Sequence, residues 1–368
     1  MVREAINFRQ GMACVVLFLL GNALISGGDR SAGRDTWLMI LGMTAVALLL
    51  GVLYMRILHL FPEKSLFEII HHIFGRTPGN VIILIMTAYF LLMFALPLVD
   101  FGIYTAVDAL PTTPSFFVIL PMMLLCWFLV SKGIQIIGRV SLFLLVCVMV
   151  YYIANLISCF SYFRVENLFP MLYRPMPDFV NSATGLFTFP FAESVALLPV
   201  LHKLRRGTGK YKVFAAGILL GGITFAYTAF QNITMLGEDV YMGNYYPSFI
   251  SISLIVVGNY VHHVEIVVCF AMLFCVFIKS SVCLYGVAQG MQNVFSVKAE
   301  KMKWVLLVMA VVAVMVVQLM IASPHEMDWF GRHVYPWIAI PVQVGLMVVD
   351  WVVAEVQGRR ERDPLPNN

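Results

Sequence analysis

A chain of 368 residues that is 61% hydrophobic and only 12% charged cannot clothe a water-facing surface, because a soluble domain carries about 25% charged residues. These figures exclude an ordinary soluble enzyme or nucleic-acid-binding domain and define an integral membrane protein. The net charge of +4 is small and says little by itself, so the placement of the positive charges matters more than their sum.

A helix needs about 20 apolar residues to cross the bilayer core. Ten stretches qualify: 8–27, 36–60, 79–106, 114–131, 136–159, 180–201, 212–235, 261–286, 304–321 and 334–356. Their length and lack of alternation exclude a transmembrane barrel. The stretch before the first span, MVREAINFRQ, lacks a small-residue cleavage site, so a retained first helix is expected. Between spans two and three, FPEKSLFEIIHHIFGRTPG has apolar residues at helical spacing and is expected along the inner interface. Its neighbours His71 and His72 point to different helix faces, which argues against a shared metal.

In span three, Asp100 lies about two turns below the outer end, with Tyr104 one turn further out on the same face. Either the pair gates an outward cavity, or the span ends earlier and Asp100 lies in the headgroup region. Span seven contains GILLGG (Gly217, Gly221, Gly222), a small-xxx-small spacing that lets helix backbones approach closely. Its Thr224, Thr228, Gln231 and Asn232 read as interhelical glue. Span eight opens on His262, His263 and Glu265, a weak metal pattern at the outer interface. Lys279 follows roughly 21 Å further in. Either it snorkels to the inner interface, or its ammonium occupies a cation position inside the bundle beside Ser280 and Ser281. The seven cysteines mostly sit in apolar runs without C-x-x-C spacing and read as packing residues. The tail, 357–368, is short and charged.

With the N-terminus inside, nineteen of the 24 Lys and Arg fall on inner segments. Only Arg30, Arg34, Arg164, Arg174 and Arg332 fall outside. That is the positive-inside bias, and it supports ten spans with both termini cytoplasmic in a multi-pass cell-membrane protein.

Two spans are interrupted. The first carries Gly21, Asn22, Gly27 and Gly28; the sixth, GLFTFPFAES, carries Gly185, Thr188, Pro190 and Glu193. Proline has no amide hydrogen and leaves a carbonyl unpaired. Irregular backbone at membrane depth is tolerated only where it is buried in protein or lines a cavity. One and six are corresponding positions if the chain is two units of five helices, 8–159 and 180–356. An odd number of spans per unit inverts the second unit, which yields an all-α, five-plus-five inverted repeat with broken helices 1 and 6. Paired breaks in inverted halves point to a transporter-type binding site at mid-membrane. Half-helix N-termini there favour an anion and C-termini a cation, so an amino-acid zwitterion suits both. Glu193 is an intramembrane carboxylate and a candidate site residue by type.

The segments AGRDTWL (32–38), FPFAE (189–193), YPSF (246–249) and FIKSSVCLYG (277–286), in this order and spacing, resemble the endospore germination permease family. These are the B subunits of nutrient germinant receptors, within the amino acid–polyamine–organocation superfamily. The resemblance covers essentially the whole chain. It implies a membrane sensor for a small nutrient, an amino acid in first place, acting in the spore inner membrane beside an A subunit and a lipoprotein C subunit. By resemblance the ligand contacts Gly21, Asn22 and Ala23 in span one and Thr188, Phe189 and Glu193 in span six. No cofactor, metal or nucleic acid is expected. No nucleophile–base pair is recognisable, so an enzyme is not expected. The rival reading is a secondary amino-acid permease coupled to H⁺ or Na⁺.

Overall fold

The computed structural model describes residues 5–21, 23–255 and 265–362 of the 368. Asn22, His262 and His263, singled out above, lie outside them, as does the side chain of Glu265. α1 (Phe8–Leu20) opens on a capping box between Asn7 and Gln10 and is followed beyond Gly21 by the short α2 (Ala23–Ser26). Then come α3 (Thr36–Leu60), α4 (Leu66–Phe74), α5 (Arg76–Tyr104), α6 (Phe116–Ser131) and α7 (Ile134–Cys159). α8 (Met176–Leu186) runs into an irregular stretch before α9 (Leu198–Leu201). The chain continues through α10 (Lys210–Leu236), α11 (Glu238–Gly243), α12 (Pro247–Ser253), α13 (Glu265–Phe295) and α14 (Ala299–Met320). It ends in α15 (Pro324–His333), α16 (Tyr335–Ile340) and α17 (Met347–Arg362).

Among the described residues, eight helical segments are long and apolar enough to cross a membrane, and α1 and α6 are shorter apolar helices. This is an all-α membrane fold. The 13 residues of α1 cover only about 20 Å, so it nears spanning length only together with α2 across the break. α13 differs from expectation: it runs to Phe295 rather than ending near 286. Hydropathy falls at Gln289, Gln292 and Asn293, but the stretch contains no proline, so the helix outlasts its apolar run.

α1 occupies the centre, packed on α7, α10 and α13. Every side chain from Ala13 to Leu20 is fully buried, as befits a helix that is apolar all round. By contrast α6, α7 and α14 turn Phe117, Phe143, Ile157 and Leu319 outward, which is the surface lipid would cover. α4 starts at a capping box between Ser65 and Glu68 and buries Leu66, Phe67, Ile69, Ile70 and Ile73. Its two histidines part company: His71 bonds Asn80 at 2.8 Å, while His72 lies edge-on to Phe61.

The glycines of α10 make the predicted close approach. Gly217 abuts Val15, Gly221 abuts Leu19, and a Cβ on Gly222 would lie 2.2 Å from the Thr44 hydroxyl of α3. Gly222→Leu is expected to destabilise by about 1–3 kcal/mol through overpacking. A lowered melting temperature in detergent checks this. Gly42→Leu is the control, since a Cβ on Gly42 meets nothing within 4 Å.

Several of the predicted inner segments meet one another, as do several of the predicted outer ones. Among the inner ones, Ile6 pairs with the 203–205 backbone, and Arg206 and Arg56 pair with Glu63 and Glu355. Among the outer ones, Arg30, Arg34, Arg174 and Arg332 cluster around Glu238, Asp328 and Ser31.

Candidate ligand site at the paired helix breaks

α1 stops at Gly21, which sits at φ +33°, ψ −129°. Side chains other than hydrogen rarely adopt a positive φ, and here a Cβ would also lie 2.6 Å from Cδ of Lys279. Ala23 is buried at the start of α2. The chain turns at Gly27, whose carbonyl accepts the Tyr241 hydroxyl at 3.3 Å.

The second break is sharper. Phe189 leaves helical dihedrals altogether at φ −141°, ψ 117°, with buried Pro190 behind it. The Thr188 hydroxyl folds back on the carbonyls of Thr184 and Gly185, at 2.9 and 3.1 Å. The Thr188 carbonyl is taken by Gln343 Nε2 at 2.9 Å, and that of Ala192 by the Tyr54 hydroxyl at 3.2 Å. Those side chains replace the ladder bonds that hydrocarbon could not supply. Gly185 leaves room for Asp29, which follows the first break: a Cβ there would lie 2.6 Å from that of Asp29. The segments beyond α1 and before the second break therefore touch.

Lys279 of α13 joins the two breaks. It is fully buried, so it does not snorkel. Its Nζ lies against Gly21 and 2.6 Å from Glu193 Oε2. The negative end of the α1 dipole favours a cation at this place. The ammonium also sits 4.3 Å from the Phe189 ring centroid, a favourable cation–π distance. Neighbouring Ser280 instead donates to the Phe94 carbonyl at 3.1 Å.

The other oxygen of Glu193 accepts the Tyr335 hydroxyl. Tyr335 contacts the Tyr89 hydroxyl at 2.9 Å, and Tyr89 accepts Gln343 Nε2 at 2.7 Å. Because Tyr335 gives its proton to the carboxylate, Tyr89 must donate to Tyr335. The result is a one-way relay from the Gln343 amide to Glu193. It starts and ends on the same break, since Gln343 also holds Thr188. In a low dielectric such a chain is strong only while every member is satisfied.

Between this relay and the arginine-bearing end lies a cavity of about 140 Å³. Its walls include Asp100, Gly185, Phe189, Glu193, Tyr246 and Arg30. Its rim carries exposed Tyr245, Gly331 and Arg332. Asp100 is buried and accepts the Tyr246 hydroxyl at 3.3 Å. Tyr104 does not line the cavity; its hydroxyl meets Cys269 Sγ at 2.9 Å and its ring stands edge-on to Tyr246. The i, i+4 spacing puts Asp100 and Tyr104 on one face, but the cavity ends before the next turn.

Sequence reasoning missed Arg30, Tyr54, Tyr89, Tyr246, Tyr335 and Gln343. Gln343, Tyr54, Tyr89 and Tyr335 are polar residues inside apolar spans and so carry a local signal, whereas Tyr246 lies between spans seven and eight. Arg30 had been assigned to a loop, and nothing local marks a loop arginine as buried.

The loop bearing Arg30 is pinned from the side by a second cluster. Glu238 binds Arg34 and Arg174, the latter at 2.9 Å, and accepts the Tyr173 hydroxyl at 2.7 Å. Burial works against its ionisation, but Tyr173 and the two guanidiniums outweigh burial and hold its carboxyl below the usual carboxylate range. Among the described residues no group of three or more His, Cys, Asp or Glu could hold a metal ion.

An all-α bundle with two broken helices around a central cavity defines a membrane transporter fold. It is similar to Mhp1, a nucleobase-cation-symport-1 family transporter, in a closed conformation with bromovinylhydantoin bound. The TM-score is 0.69 at 14% identity, over 100% of this chain and 95% of that one. A manganese transporter of Eremococcus coleocola matches with a TM-score of 0.54 at 11% identity, covering 98% of this chain and 88% of that one. The chain belongs to the spore germination protein (spore permease) family, whose profile matches residues 5–327. Spore germination protein KB of Bacillus subtilis (strain 168) is 25% identical over 301 residues, 81% of each chain. Spore germination protein XB of Bacillus anthracis is 23% identical over 334 residues, 87% of this chain and 90% of that one.

Proposed function

We propose that this protein is the nutrient-sensing membrane subunit of a spore germinant receptor. It binds a small nutrient, an amino acid in first place, in the cavity between the two breaks, and passes a conformational change to an A subunit and a lipoprotein C subunit. The observation that carries this reading is the Lys279–Glu193 pair, which touches both breaks and underlies the cavity. A ligand arriving there meets a place where both breaks can respond together. The cavity suits a small solute: about 140 Å³ is close to the ~150 Å³ that holds a benzene ring, six heavy atoms, as in alanine. The positive-inside bias supports a topology with the arginine-bearing end and the cavity rim outside and both termini in the cytoplasm. We read ten helices as crossing, in two inverted units of five, 8–159 and 180–356.

The second reading, an ion-coupled amino-acid permease, is favoured by the likeness to transporters. Lys279 already fills the position at the end of α1 where a coupling cation would sit, which counts against Na⁺ and leaves H⁺. Uptake of labelled L-amino acids into proteoliposomes separates the two. Saturable binding without concentrative flux is expected; flux driven by a proton or sodium gradient would overturn the sensor reading in favour of the permease.

A further inference from the structure

One wall of the cavity carries a buried cation that the reading above does not use. Arg30 follows the first break on the loop to α3 and is only 5% exposed. Its Nη2 lies 3.5 Å from Asp328 Oδ1 of α15, at the long limit for a polar contact. Its Nε and Nη1 are buried and have no hydrogen-bond partner. A guanidinium has five N–H donors in a rigid fork, and leaving buried donors unmade is unfavourable. Arginine matches a carboxylate bidentately where lysine cannot. Four carboxylates line the same cavity: Asp29 and Asp328 beside Arg30, Glu193 paired with Lys279, and Asp100, which has the Tyr246 hydroxyl as a partner. Arg30 is thus a cation with two idle donors on a wall that it shares with Asp29 and Asp328.

We infer that Arg30 is the carboxylate-binding residue of this site, so that the ligand is a small monocarboxylate whose carboxylate takes the idle donors and whose ammonium faces the Asp100 wall. The inference rests on the cavity being the ligand site. It differs from the expectation that backbone amides at a half-helix N-terminus would hold the anion. It also gives Asp328 a part: a ligand carboxylate competes with it for Arg30 and loosens the tie from the break to α15. Arg332 shares that tie, bonding Asp328 at 3.0 Å and the Ser31 hydroxyl at 3.3 Å.

The test uses the full chain in nanodiscs, with the common L-amino acids, L-alaninamide and D-glucose as probes, read by melting temperature and by calorimetric titration. At least one amino acid is expected to bind while its amide does not. Arg30→Gln is expected to weaken that binding by roughly tenfold to a hundredfold, with Arg30→Lys between. Ligand-free Arg30→Gln is expected to melt no lower than the wild type, because a poorly paired buried charge has been removed; a merely structural arginine would lower it. Met327→Trp, which fills the cavity from α15, is expected to abolish binding. The inference is overturned if the amide binds as well as the acid, if only D-glucose binds, if no amino acid binds the wild type, or if Arg30→Gln binds normally. Normal binding in Arg30→Gln with loss in Met327→Trp sinks Arg30 but keeps the cavity. Normal binding in Met327→Trp sinks the cavity itself.

Discussion

Glu193→Gln is expected to lose both stability and ligand response, and to do so because of Lys279 rather than because of any contact with solvent. The pair is 2.6 Å apart with Lys279 fully buried. Removing one partner of such a pair leaves an uncompensated charge and costs about 3–5 kcal/mol. The amide also accepts the Tyr335 hydroxyl less strongly than the carboxylate did. The double variant Glu193→Gln/Lys279→Met is expected to recover most of the melting temperature, since no buried charge remains, but not the response. Melting curves in detergent and ligand titration in nanodiscs check both halves. A single variant that melts and responds like the wild type would remove Glu193 from the site. A double variant that stays as unstable as the single one would show that the pair is not the reason.

Gln343→Leu is the second substitution with a large expected effect. Its amide supplies two bonds at once, to the Thr188 carbonyl and to the Tyr89 hydroxyl. Leucine has similar bulk and no donor. It leaves a buried carbonyl unsatisfied beside a proline that already took away a ladder bond, at a cost of about 1–3 kcal/mol. It also cuts the relay to Glu193 at its source. The expected result is a lower melting temperature and faster amide exchange around 187–193, with weaker ligand response. Exchange at wild-type rates in that stretch would show that the break is held by something other than Gln343.

Much of the architecture was legible in the residues. The apolar stretches fold as helices because length and composition suffice to choose that state in hydrocarbon. The two breaks fall at Gly21 and Phe189, as their glycines and proline implied. The Gly217–Gly222 stretch makes the close contacts its spacing promised. These are local properties, set by neighbours within one or two turns.

The site was legible only in part. Asp100, Gly185, Phe189 and Glu193 line the cavity; Gly21, Ala23, Thr188 and Pro190 belong to the two breaks but not to its walls, and the Tyr104 hydroxyl meets Cys269 instead. Lys279 had two open fates, and burial chose the one inside the bundle. Arg30 went unnoticed because a loop arginine is usually solvated, and only α15 folding over it makes it a buried group.

By itself the order of residues determined that this chain lives in a membrane, where its helices run and where two of them fail. Backbone hydrogen bonding in hydrocarbon is settled within each segment, so those outcomes need no knowledge of the rest. The tertiary structure alone decided what meets at the failures. Glu193 finds Lys279 across 86 residues and Tyr335 across 142, and no periodicity encodes such a pairing. A buried charge takes whichever partner the packing of distant helices brings within reach, and that packing is a property of the whole bundle.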